Sequence, residues 1–214
     1  MVHLIAALPM HLAVPLLLAA TAGFSHAFEA DHLVAVGNIV TRRTTYRAAL
    51  KDGVFWGLGH TSTILLVAGL YLLGRLVLEP ATFQLLEAGV GVMLIGLGSY
   101  RLWKVLQPLP QATAQPEPAF SLAYGVGMMH GLAGSGALLL SVLTQVQGQW
   151  SGLGYLLLFG VGTVVGMMVA AGVFSLPFSV GMLHNEQWRR RLTVLSSAVC
   201  VGLGLQIIWE NVVA

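Results

Sequence analysis

Along this chain the apolar residues neither alternate with polar ones, as in a half-buried strand, nor keep to one helical face. They run on through long uninterrupted stretches that end at short polar segments. The runs cover approximately residues 12–40, 53–75, 82–104, 120–145, 152–178 and 192–213. At about 1.5 Å of rise per residue, each can cross a hydrocarbon core of about 30 Å with some tilt. The pattern predicts an all-α polytopic membrane protein with six transmembrane helices.

The polar segments give the spans a direction. Arg42, Arg43, Arg47 and Lys51 follow the first span, Arg101 and Lys104 close the third, and Arg189, Arg190 and Arg191 precede the sixth. Lys and Arg collect on cytoplasmic loops, so these segments are expected inside, with both termini outside, in a multi-pass protein of the cell (inner) membrane. Arg75 alone falls on the other side. The segment around 107–121 holds four prolines and reads as an irregular tether. It divides the chain into a first three-helix repeat at 1–106, a cytoplasmic Pro-rich linker at 107–119, and a second three-helix repeat at 120–214.

The two halves echo each other. Gly23, His26 and Ala27 correspond to Gly127, His130 and Gly131, and Gly57 and Gly59 to Gly160 and Gly162. The run GLGSYRLW from Gly96 returns as GLGLQIIW from Gly202. Three spans per half is an odd number, so the second half must enter the membrane in the opposite sense. The expected architecture is two inverted three-helix repeats, typical of transporters that bind their solute near the midplane. Convergence of Gly- and Leu-rich helices is the alternative.

Composition narrows the function. With 57% hydrophobic and 8% charged residues and a mean hydropathy of +0.83, a soluble enzyme is excluded. Ten basic and eight acidic side chains leave a net charge of +2, too little for a nucleic-acid-binding surface. No phosphate-loop sequence occurs, and Gly160, Gly162 and Gly166 read as a close-packing face. Ala20-Thr21-Ala22 has the small-x-small pattern of a cleavage site, but no basic residue precedes the apolar run, so the segment is expected to be retained. The single Cys200 lies within the last span and is expected to be buried.

The few ionisable groups inside the spans cluster. The first span carries His26, Glu29, Asp31 and His32 within seven residues, and His60 and His130 lie in two others. Ionisable side chains at membrane depth mark a pathway or a site. Counted from Arg42, Gly53 and Phe120, the imidazoles of His32, His60 and His130 lie about 15, 10 and 15 Å from one face. On a straight helix, His26 sits about 9 Å further outward than His32, and one ion cannot reach both. Either the helix breaks around residues 28–30, or the motif forms two steps of a path. Imidazole with carboxylate suits divalent first-row metals such as nickel, cobalt, zinc or iron. The competing explanation is a buried polar network, with Asp31 hydrogen-bonded to His60 or to hydroxyls.

Other groups are secondary. His3 is placed to chelate Ni2+ or Cu2+ together with the terminal amine. Glu87, with Glu79 and Glu210, is a candidate entry carboxylate or a headgroup-level residue. His11 is expected at the interface and His184 in a loop, while Met128, Met129, Met167 and Met168 are expected to pack.

His26-x4-Asp31-His32, followed by Leu58-Gly59-His60-Thr61-Ser62, resembles the H-x4-D-H and G-H-S signatures of the nickel/cobalt transporter family. The stretch from His130 to Ala137 is similar to that family's short six-span relatives, the UreH-type urease accessory permeases. The resemblance implies uptake of Ni2+ or Co2+, with His26, Asp31 and His32 as metal-recognition residues and His60 as a further contact. Glu29 and His130 remain further metal or pathway candidates, alongside Glu87 and His3. Ser25 stands where long members carry Arg, Glu29 replaces an Asp, and their second-half acidic motif is missing, which bears on metal selectivity.

The expected function is thus a secondary permease for a divalent transition metal, driven by membrane potential and open to proton coupling. It has no catalytic residues and no cofactor. Its partners are the metal ion, the bilayer, a second copy of the chain and downstream nickel-enzyme maturation proteins, with no nucleic acid. An exporter of metal or of a small sulfite-like anion is the alternative. An intramembrane metal-dependent hydrolase is the third reading.

Overall fold

The computed structural model describes residues 10–40, 43, 45–73, 79–107, 120–145, 148–179 and 186–213. His3, Arg42, Arg75, His184 and residues 108–119 of the linker lie outside the described residues. In chain order the helices are α1 (Met10–His26), α2 (Ala30–Val40), α3 (Tyr46–Leu72), α4 (Pro80–Leu106), α5 (Ser121–Gln145), α6 (Gln149–Ser179) and α7 (Glu186–Ile208). A π-helical turn, Trp209–Val213, extends α7. Among the described residues there is no strand.

Four segments are long and apolar enough to cross a membrane: Tyr46–Leu72, Ala81–Leu106, Trp150–Leu176 and Arg190–Val213. α5, at 25 residues, matches the length of the predicted fourth span. The first predicted span is two helices of 17 and 11 residues. Thr21 and Ser25 turn their hydroxyls back onto carbonyls of the preceding turn, which loosens the end of α1. The amides of Phe28 and Glu29 then bond three residues back, to Ser25 and His26, and the Glu29 carbonyl accepts the first bond of α2 from Leu33. Of the two outcomes left open by the sequence, the helix is broken. Unwound backbone at this depth is tolerated where it lines a protein cavity.

α3 starts earlier than its apolar run. Thr45, extended at φ −126° and ψ 142°, accepts a hydrogen bond from the Ala48 amide and caps the helix at Tyr46. Arg47, Lys51 and Asp52 therefore belong to the helix rather than to a loop.

Glycines set how closely the helices approach. A Cβ on Gly23 of α1 would lie 1.9 Å from the Phe159 carbonyl oxygen of α6, and one on Gly127 of α5 would lie 2.1 Å from that of Trp56 on α3. The same reciprocity holds for Gly162 against Ala20 and Gly59 against Tyr124, at 2.1 and 2.2 Å from the carbonyl oxygens. Gly57 meets Val164 while Gly160 meets Thr61, and Gly98 meets Ser197 while Gly204 meets Gly91. These contacts make α1 parallel to α6 and α3 parallel to α5. α3 runs antiparallel to α6, and α4 to α7.

Candidate metal centre

The break between α1 and α2 determines what meets in the interior. The tight turn at residues 27–29 breaks the helix while α1 and α2 continue in the same sense along α6, and it brings the His26 and His32 rings to 4.6 Å between centroids. His60 enters from the middle of α3, at 5.2 Å from His26 and 5.3 Å from His32. His130, from α5, stands 4.9 Å from His32. His32, His60 and His130 are each no more than 2% exposed.

The hydrogen bonds fix how the rings present their nitrogens. His26 Nδ1 lies 2.8 Å from Glu29 Oε1, His32 Nδ1 3.1 Å from Asp31 Oδ1, and His130 Nδ1 3.0 Å from the Val126 carbonyl oxygen. A carboxylate or carbonyl can only accept, so in each ring Nδ1 carries the donated proton and the neutral Nε2 keeps a lone pair. The Nε2 atoms of His26, His32 and His130, and both nitrogens of His60, are buried with no hydrogen-bond partner. Buried polar atoms are normally satisfied, and five such nitrogens on four histidines whose rings are linked by contacts of 4.6–5.3 Å indicate a ligand-binding region. Carboxylate–imidazole pairs of this kind orient metal-binding histidines elsewhere.

Two overlapping groups have donor atoms within 4.8 Å of one another: His26, His32 and His60, and Glu29, Asp31 and His32. The first is all imidazole and interior. The second contains two carboxylates and reaches the rim, where the Glu29 side chain is 58% exposed and Asp31 28%. Asp31 Oδ2 also lies 3.8 Å from His130 Nε2. Asp31 thus engages His32 and approaches His130, rather than bonding to His60 or a hydroxyl. Glu87 is half-buried on α4 and outside both groups. Met128 and Met129 are partly exposed and Met167 is buried in the core.

Two aromatic walls complete the centre, and neither stands out in the sequence. Phe159 of α6 packs on His26 at 5.4 Å, and Trp56 of α3 packs on His130 at 5.3 Å. The offset relating Gly57 to Gly160 also relates Trp56 to Phe159 and His60 to Thr163, so the sequence correspondence between the halves offered a signal for both. The Thr163 hydroxyl is used structurally, donating to the carbonyls of Gly23 and Phe159 at 3.1 and 3.0 Å.

The urease accessory protein UreH of Bacillus sp. (strain TB-90) is 34% identical over 181 residues, 76% of this chain and 78% of that protein. The chain belongs to the UreH family. Its motifs place it with that family's permeases, so it is a transport protein of the membrane and not an enzyme. The UreH-family chain is also similar to the chloroplast protein FOR GROWTH AND FERTILITY 2 of Arabidopsis thaliana, at 27% identity over 201 residues, 83% of this chain. It spans about half, 51%, of that plant protein's length. No family model matches it, and no solved structure does.

Proposed function

We propose that this UreH-family chain is a secondary permease that takes up a divalent transition-metal ion, Ni2+ or Co2+, for nickel-enzyme maturation. The observation that carries the reading is that His26, His32 and His60 each bring a ring nitrogen within 4.8 Å of the others, while each keeps a buried ring nitrogen with no hydrogen-bond partner. First-row dications take imidazole nitrogen at about 2.0–2.1 Å, so small side-chain adjustments place all three around one ion. The rim carboxylates Glu29 and Asp31 attract a dication and repel an anion, which argues against sulfite-type export.

Two inverted three-helix repeats support transport. Reciprocal glycine contacts, α1 on α6 and α3 on α5, are what a two-fold axis in the membrane plane produces. Orientation follows the positive charges: Arg47 and Lys51 begin α3, Lys104 ends α4 and Arg190 and Arg191 begin α7, all at the end that faces the cytoplasm. Both termini then face outward. A potential of 100 mV, negative inside, drives a dication inward by about 4.6 kcal/mol.

Uptake of radioactive Ni2+ into proteoliposomes tests this. Wild-type protein is expected to accumulate Ni2+ under an inside-negative potential, and His60→Ala or His26→Ala to abolish both accumulation and Ni2+ binding in detergent. Wild-type uptake by those variants would overturn the assignment.

A further inference from the structure

The geometry points to a second metal station in the interior, formed by Asp31 Oδ2 and His130 Nε2 beside the His32 ring and outside the group of His26, His32 and His60. This rests on the permease reading above and adds to it the step by which the ion leaves the three imidazoles.

The donor pair is set for an ion. Two ligands bound at about 2.0–2.1 Å at a tetrahedral angle are about 3.4 Å apart. Asp31 Oδ2 and His130 Nε2 stand at 3.8 Å, a few tenths of an ångström more. The Val126 carbonyl accepts a hydrogen bond from His130 Nδ1, which leaves Nε2 as an acceptor 3.8 Å from a carboxylate oxygen, two acceptors with no hydrogen between them. A shared cation resolves that opposition. His130 is 2% exposed and comes from the second half of the chain.

The surroundings make the station the counterpart of the first. His26 leans on Phe159, and His130, its repeat mate, leans on Trp56, the repeat mate of Phe159, at nearly the same distance. Trp56 lies one turn before His60, toward the end of α3 where Arg43 pairs with Asp52. An ion passing from His26, His32 and His60 to Asp31 and His130 therefore moves toward that end. His32, in ring contact with His26 and His60 and also with His130, stays within reach throughout. No covalent bond changes; ligands are exchanged one by one.

The test separates binding from flux in the full-length protein, with CoCl2 as the probe in detergent and Co2+ uptake in proteoliposomes. His130→Ala is expected to bind Co2+ with unchanged visible spectrum and a Kd within about threefold of wild type, yet to lose about 10–100-fold in uptake, the range of a lost metal-site residue. His130→Cys is expected to regain flux with a preference shifted toward Zn2+ and Cd2+, because thiolate favours softer ions. A purely structural role for His130 does not move ion preference. Wild-type flux in His130→Ala overturns the second station. So does a loss of Co2+ binding matching that of His26→Ala, which makes His130 part of one shell. Where His130→Ala does not fold, the ion preference of His130→Cys decides alone, and an unshifted preference overturns the proposal. If His26→Ala and His60→Ala bind and carry Co2+ normally, the permease site itself has failed, a result distinct from either.

Discussion

Arg43 grips Asp52 with two guanidinium nitrogens, Nε at 2.5 Å and Nη2 at 2.6 Å from separate carboxylate oxygens, and both side chains are buried. The same guanidinium lies 4.5 Å above the Phe120 ring, which stacks on Phe55 at 5.3 Å. One clasp thus ties the end of α2 to the beginnings of α3 and α5, the helices that carry Asp31, His32, His60 and His130. Removing one partner of a buried pair costs about 3–5 kcal/mol, whereas replacing both by well-packed apolar residues is often neutral. Asp52→Ala is expected to lower unfolding stability in micelles by about 3 kcal/mol or more. The double change Arg43→Met with Asp52→Leu is expected to recover most of that loss.

Gly23→Ala and Gly127→Ala are expected to prevent assembly, because each new methyl would sit about 2 Å from a backbone carbonyl oxygen that cannot move aside. A methyl added at Gly69 or Gly202 meets nothing within 4 Å, and both residues lie within helices. Alanine at either is expected to raise stability by about 0.5–1 kcal/mol. Thermal unfolding of the four single variants in one detergent distinguishes a packing glycine from a spare one.

Glu29→Gln and Asp31→Asn leave the imidazoles in place but replace the acceptors that orient His26 and His32. Loss of such partners commonly weakens metal affinity about 10–100-fold. Glu29, the more exposed, is expected at the lower end and Asp31 at the upper. Equilibrium dialysis with Ni2+ reads both, and unchanged affinity in Asp31→Asn would show that His32 needs no orienting carboxylate.

Cys200 is buried, with its thiol donating to the Leu94 carbonyl at 3.3 Å between α7 and α4. A maleimide is expected to leave it unlabelled in the folded protein and to label it fully after unfolding in SDS. Mass spectrometry at both stages checks this, and rapid labelling of the native form would mean that α4 and α7 separate.

Much of this protein was legible before folding. Long apolar runs imply helices wherever water is absent, since an exposed backbone amide has no other partner in lipid. The scarcity of charge made His26, Asp31, His32 and His60 conspicuous as groups that a membrane interior tolerates only for a purpose. Boundaries were less legible. The apolar run of the second span begins near Gly53, but Thr45 caps the helix seven residues before Asp52, and hydropathy does not register a cap.

What hydropathy could not supply was distance. A straight first span holds His26 and His32 a turn and a half apart, and the three-residue break between α1 and α2 closes their rings to 4.6 Å. Arg43 read as one more positive loop residue, and Asp52 drew no notice, because pairing across nine positions depends on how α2 turns into α3. Trp56 and Phe159 became walls of the centre once glycines let α3 meet α5 and α1 meet α6 at backbone contact. Sequence composition names the solvent and the chemistry a chain can hold. Which donor atoms share one point is a matter of helix crossings and breaks, set by non-local packing that no local pattern encodes.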